Sequence, residues 1–344
     1  MRIALIGAGN VATHIGRALA KTGHQILQVY SRTEASAAEL AKQINQVEGS
    51  ASEEETETDE ETAVIVSEEA GRIEASEASE ETASVKGVKG EKTRLNLCIA
   101  EKAPYTRGKI RCEEDKNRFE EQKCSWTTSL SEITPEADLY LVMLKDSVLN
   151  DLLPQLVKRN PNALFVHTAG SVPMSIWEGL ANRYGVLYPM QTFSKLRAVD
   201  FEQVHFFVEA KDASDVALLK SLAGELSSHV VEASSEQRKY LHLSAVFACN
   251  FTNHMYAICE ELLTSHGLPF SSMFPLIDET ARKVHLLSPK ESQTGPAQRN
   301  DVNVMQKQEN LLKADAVLND PVVAEIYRKL SNHIVHYQQK LKLE

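Results

Sequence analysis

With 344 residues of which 42% are apolar, the chain is long enough for two domains with separate cores, which excludes a single small binding module. A net charge of −11 sets it against nucleic acid, since binding a polyanion needs a basic face. No apolar stretch approaches the roughly 18 residues of a membrane span, and Met1–Asn10 has no secretory h-region, so a cytoplasmic protein without membrane contact is expected. The cysteines (Cys98, Cys112, Cys124, Cys249 and Cys259) are odd in number and lack CxxC or zinc-like spacing, which implies a reducing compartment and no metal.

RIALIGAG reads as an apolar strand, VATHIGRALAKTG as a helix closed by Gly23, and QILQVYSR as a second strand. AELAKQIN has the pattern of a helix end. Between Glu48 and Glu81 stand 14 acidic residues and one basic residue, Arg72; without that local net of −13 the remainder carries about +2. Such low hydrophobicity and high like charge cannot bury enough surface to offset chain entropy, so residues 47–122 read as an acidic low-complexity insertion. It is either a solvated loop or an interaction segment. CSWTTSLSEI then reads as a strand and a new helix start. ADLYLVMLK and NALFVHTAG are continuous apolar runs, as parallel strands covered on both faces require, and GVLYP and HFFVEA continue the series. Helical patterns take over from about Ser234. The predicted organisation is a mostly parallel α/β Rossmann domain over 1–230, interrupted by the insertion, and an all-helical domain over 231–344.

Gly7-Ala8-Gly9-Asn10-Val11-Ala12 lies between the first strand and the first helix, the context that a G-x-G-x-x-G/A fingerprint requires. Gly7 permits the tight turn, Gly9 lets backbone approach a pyrophosphate, and Ala12 allows close helix packing. The helix N-terminus then offers free N–H groups to phosphate. The second strand ends in Ser31-Arg32-Thr33, where NAD enzymes carry a carboxylate for the ribose 2′-hydroxyl. A guanidinium between two hydroxyls suits a 2′-phosphate instead, so NADP(H) is expected in preference to NAD(H), unless Arg32 is a plain solvated loop residue. Lys145 and Asp146 follow the next strand at the carboxyl edge where ligands gather; Asp146 serves there as a ligand or as a helix N-cap. Thr168, Ala169 and Gly170 are small residues at the same edge, allowing close approach of a nicotinamide ring.

Arg238–Leu263 reads as one helix without Pro or Gly. At 100° per residue, with His242 at zero, Lys239 falls at about +60°, Asn250 at about +80° and Asn253 at about +20°, a polar stripe on an otherwise apolar helix. It is either a solvated or interhelix polar face, or a catalytic one in which His242, or failing that Lys239, exchanges a proton while the two amides orient a carbonyl. Thr294-Gly295-Pro296-Ala297-Gln298-Arg299-Asn300-Asp301 reads as a helix start with Arg299 and Asp301 in the opening turn. Arg299 is a candidate for gripping an anionic substrate, or part of a surface ion pair.

GAGNVA, HTAGS, LYPMQTFS, LHLSAVFACNFTNH and TGPAQRND together resemble proteins that pair a Rossmann-like domain with the C-terminal domain of unknown function 2520. That family is similar to pyrroline-5-carboxylate reductase, ketopantoate reductase and the β-hydroxyacid dehydrogenases, and its second domain to that of 6-phosphogluconate dehydrogenase relatives. The resemblance implies a helical domain that builds a homodimer, with Tyr188–Thr192 crossing between domains. Gln191 and Thr192 would then face a small substrate, and His242, Asn250, Asn253, Arg299 and Asp301 would line the opposite wall. β-Hydroxyacid dehydrogenases pair a helix Lys with an Asn four residues on; here Lys239 meets Leu243, so that proton donor does not transfer. The resulting expectation is an NADP(H)-dependent oxidoreductase acting on a small, anionic carbonyl or imine compound. Its rivals are a non-catalytic NADP(H)-binding sensor, and an enzyme using a deazaflavin or metal.

Overall fold

The structure, a computed structural model, describes residues 1–54 and 123–341, with side chains described up to residue 47 in the first part; the expected insertion lies outside the described residues except for its first few positions. Strand β1 (Arg2–Ile6) leads into helix α1 (Asn10–Lys21), β2 (Gln25–Tyr30) and α2 (Glu34–Glu54), which runs past the expected helix end near residue 47. After it come β3 (Ser125–Thr127), β4 (Leu139–Val142), α3 (Asp146–Val157), β5 (Leu164–His167), β6 (Arg183–Met190), β7 (His205–Ala210), α4 (Ala213–Gly224) and β8 (Val230–Glu232). The segment after β3 forms only a 3-10 turn, Leu130–Glu132, rather than the expected helix. The hydroxyl of Thr127 there bonds Glu132, closing the chain on itself before a longer helix can start.

The strands make one sheet in the order β3-β2-β1-β4-β5-β6-β7-β8, all neighbours parallel except the antiparallel pair β6 and β7. The first six positions have the order of a doubly wound dinucleotide fold. Continuous apolar strands are explained by burial on both faces. Ile3 and Leu5 of β1 pack with α1 and α2, while Ala4 and Ile6 face α3, where Tyr140, Phe165 and Trp177 form the other core.

Beyond β8 the described chain is helical. Ser234 opens α5 (Ser235–Ala245) with a capping box to Gln237, and a π-helical segment, Val246–Phe251, joins it to α6 (Thr252–Ser265). Then follow α7 (Phe274–Leu286), α8 (Val302–Ala314) and α9 (Pro321–Leu341). Among the described residues, no helix is long and apolar enough to cross a membrane. From Ser235 onward the buried residues are Arg238, Ala297, Leu318, Val323, Ala324 and Ser331, whereas Tyr240, Phe247, Phe274, Leu276, Leu286 and Leu311 are more than half exposed.

Candidate functional site

The glycine turn sits at the carboxyl edge of the sheet. Gly7 has φ +126°, and a Cβ there would lie 2.4 Å from the carbonyl oxygen of Met143, so no other residue fits without displacing β4. Its N–H bonds Tyr30 O at 2.8 Å, fixing the turn against β2. Gly9 is the N-cap of α1 with nothing within 4 Å of a Cβ position, which leaves open space over the helix N-terminus; Asn10 and Val11 begin the helix and Ala12 is fully buried beneath it. The first turn holds no acidic side chain to compete with an anion. The side chain of Asn10 turns away and donates to Phe193 O at 2.8 Å, and His14 bonds Ser194 O at 2.9 Å, clasping the segment after β6 onto α1.

At the end of β2, the N–H of Ser31 bonds Thr127 O, and Ser31 Oγ accepts from the N–H of Thr33 at 3.4 Å. Arg32 is exposed and has no hydrogen bond or ion pair among the described residues, so its guanidinium is free for an incoming anion. Glu34 begins α2. At the end of β4, Lys145, not Asp146, is the N-cap of α3: its backbone is still extended, Asp146 is the first helical residue, and the Asp146 carboxylate accepts a hydrogen bond from the Ser171 hydroxyl. This bond ties the loops after β4 and β5 together.

The β5 edge explains the small residues found there. His167 is fully buried, and its Nδ1 accepts from the N–H of Ala169 at 3.2 Å. Burial first, and the nearby Arg238 charge second, push it down to about 3, so the ring is neutral and acts as a structural acceptor. Thr168 and Ala169 are half-buried. A Cβ on Gly170 would stand 2.8 Å from His242 Nδ1 and 2.8 Å from the Tyr188 ring, so the strand edge, β6 and α5 converge at a glycine. Tyr188 Oη and His242 Nδ1 are 3.2 Å apart, their rings edge-on with centroids 6.1 Å apart. Burial pushes the Tyr188 phenol up, which keeps it protonated.

Arg238 sits under this junction, 1% exposed. Its Nη1 is 2.5 Å from Glu209 on β7, and its Nη2 donates to Val172 O at 2.6 Å, so α5 is bolted to β7 and to the loop after β5. Ser235 adds a bond to the same Glu209 oxygen at 2.7 Å.

Several expected residues lie elsewhere. Lys239 is exposed one position from Arg238, and Asn250 and Asn253 are exposed as well. The expected angles hold for a regular α-helix; the π segment has about one residue more per turn, which carries Asn253 off the line of His242 by roughly a quarter of a turn. Thr252 Oγ1, bonded to Phe247 O five residues back, marks the widened turn. Gln191 Oε1 accepts from the N–H of Thr192 at 2.8 Å, a bond internal to the clasped segment. Helix α8 starts at Val302, not at Pro296. Asp301 is its N-cap, accepting from Val304 N at 3.2 Å, and Arg299 precedes the cap in a turn whose Asn300 has φ +55°, a conformation that interrupts a helix. Among the described residues, no hydrogen bond or ion pair ties Arg299 or Asp301 to the sheet domain. Tyr188, Arg238 and Glu209 were not singled out as site residues by sequence; Tyr188 had one signal, its place in the segment expected to cross between domains.

Comparison with known proteins agrees with this architecture. Residues 204–334 match the domain of unknown function 2520, and residues 2–84 match a family described as NADP oxidoreductase, coenzyme F420-dependent. A Bacteroides fragilis protein described as an NADP oxidoreductase is 42% identical over 97% of this chain and 98% of its own, with a TM-score of 0.70. A Thermotoga maritima protein (17% identity, covering 97% of this chain and 99% of its own, TM-score 0.59) shares the fold. So does an imine reductase from Myxococcus stipitatus in complex with NADP+ (10% identity, 99% and 93%, TM-score 0.53). Comparison with curated proteins gives no match. The chain belongs to the family of Rossmann-like proteins that carry the C-terminal domain of unknown function 2520.

Proposed function

We propose that the chain is an NADP(H)-dependent oxidoreductase that reduces the C=O or C=N bond of a small compound. The observation that carries this reading is the open approach over Gly9 at the N-terminus of α1, on the carboxyl edge of a sheet with dinucleotide-fold order, and the 42% identical relative described as an NADP oxidoreductase supports it. The cradle fits the cofactor: Gly7, Gly9 and Ala12 leave room for a pyrophosphate, and the free Arg32 with Ser31 and Thr33 offers donors to a 2′-phosphate. When bound, NADPH supplies a hydride from its nicotinamide ring. Thr168 and Ala169, small and half-buried at the β5 edge, let that ring approach, and His242 beside Gly170 exchanges the proton on the substrate heteroatom.

The helical segment supports a second copy as partner. So few of its residues are buried, and so many aromatic and leucine side chains are exposed, that it cannot be stable by itself, and a homodimer through these faces supplies the missing core. Arg299 then grips an anionic group only if the second copy brings it to the cleft. Sedimentation of the full chain tests this: a dimer is expected, and a monomer at micromolar concentration overturns it.

The cofactor reading is tested by melting temperature with NADPH and with NADH, on the intact chain and on Arg32→Ala. At a hundredfold excess over Kd, binding adds about 2.7 kcal/mol to stability. A larger shift with NADPH, lost in the variant, is expected; no shift with either nucleotide refutes the reading. The match of residues 2–84 to a coenzyme F420-dependent family favours one alternative, hydride exchange with a deazaflavin, which predicts a further shift on adding coenzyme F420 to the NADP complex.

A further inference from the structure

We infer that Tyr188 is a positioning residue of the proton-transfer site: its hydroxyl holds His242 by Nδ1 in both protonation states, leaving Nε2 as the nitrogen that exchanges a proton with substrate. This rests on the oxidoreductase reading above and goes beyond it by naming a residue and an atom.

The geometry begins with the 3.2 Å contact between Tyr188 Oη and His242 Nδ1. Tyr188 is almost fully buried in a small cluster with Val186, Phe207 and Ala233 at the meeting of β6, β7 and α5, so its ring has little freedom to leave. Arg238 anchors the start of α5 one helical turn before His242, through Glu209 and Val172 O, so the backbone that carries the imidazole is fixed as well. Gly170 closes the third side, since any side chain there would occupy the space of both groups. Nε2 has no protein partner among the described residues.

A phenol both donates and accepts, which a carboxylate in the same place would not do at neutral pH. When the imidazole is neutral, the Tyr188 O–H donates to Nδ1 and the ring proton sits on Nε2. When it is an imidazolium, the hydroxyl turns and accepts from Nδ1–H. In the reducing direction the substrate heteroatom takes the Nε2 proton of the imidazolium as hydride reaches the carbon. The ring is left transiently as the Nδ1–H tautomer, its proton accepted by Tyr188 Oη, until a proton from solvent returns to Nε2 and restores the imidazolium. Burial keeps the phenol itself out of the exchange, because it raises the cost of a tyrosinate.

The test reads the tautomer directly and needs no substrate. Full-length protein labelled with 15N at histidine is followed from about pH 5 to 8, the range in which imidazoles titrate, for the intact chain and Tyr188→Phe. The expected result is an acceptor-type Nδ1 and a protonated Nε2 for neutral His242 in the intact chain, and averaged nitrogen shifts in the variant, which keeps the ring but lacks the hydroxyl. Identical His242 nitrogens in the two proteins overturn the inference. Gly170→Ala, whose methyl separates the pair while both side chains remain, must give the same averaging, and serves if Tyr188→Phe does not fold. Melting shifts with NADPH, measured on the same samples, judge the cofactor reading independently: loss of that shift in the intact chain refutes the oxidoreductase, whereas unchanged nitrogens refute only the role of Tyr188.

Discussion

Replacing Glu209 by Gln keeps the shape of the side chain but removes the charge that faces Arg238. The guanidinium is 1% exposed and Glu209 is 17% exposed, so solvent screens the pair little. Removing one partner of a buried pair costs about 3–5 kcal/mol, because the remaining charge is left in a medium that does not solvate it. The lower end applies here, since Gln keeps an oxygen for Ser235 and Arg238 still has Val172 O. At roughly 2–4 °C per kcal/mol for a unit of this size, a loss near 3 kcal/mol lowers Tm by about 6–12 °C. The assay is thermal unfolding at neutral pH of the single variants Glu209→Gln and Arg238→Met and of the double variant. The double variant removes both charges, so its loss should fall short of the summed single losses by about 2 kcal/mol or more. A single variant melting within about 2 °C of the intact protein, or strict additivity in the double, would refute the claim that this pair bolts α5 to the sheet.

Gly7→Ala combines a positive φ with a Cβ 2.4 Å from a carbonyl oxygen, so the unfolding free energy from urea titration should fall by more than the roughly 1–3 kcal/mol of backbone strain alone; an unchanged midpoint would contradict the turn geometry. His167 gives a pH dependence. Its folded pKa is depressed to about 3 and the unfolded value is near 6.5, so between these values the unfolded chain binds more protons. Its contribution is therefore full above about pH 6.5 and is lost as pH falls toward about 3, at up to ~1.4 kcal/mol per pH unit. His167→Phe should flatten that part of the stability profile in urea titrations, and a slope equal to that of the intact protein would count against it.

Most of the sheet was legible in the sequence, for a physical reason. Strands buried on both faces must be apolar at every position, so LYLV and LFVH stand out without any alternation to decode. Gly7 was legible because its role is local: only glycine makes that turn. The antiparallel turn-back of β7 against β6 was not, since HFFVEA has the same composition whichever neighbour it meets. Nor was the short 3-10 turn after β3, where a hydroxyl to carboxylate bond outweighs a helix-like pattern.

The site divides along the same line between local and distant causes. Residues whose work is done by their own backbone, such as Gly7, Gly9 and Gly170, announce themselves by being small in the loops that follow strands. Residues whose work is done by a partner do not: Arg238 and Glu209 are 29 positions apart, Tyr188 lies 54 positions before the His242 it meets, and Arg238, Glu209 and Tyr188 each look ordinary in their own segments. The angular spacing of the polar stripe depends on a related cause. Its residues were placed by counting at a constant 100° per residue, and the count is valid only while the helix keeps its α bonding. Val246–Phe251 contains no Pro or Gly to signal the change, yet one widened turn there is enough to leave His242 at the Gly170 junction and rotate Asn253 away from it. His242 therefore meets Gly170 and Tyr188 because it precedes the widened turn, in the part of the helix that Arg238 fixes to the sheet.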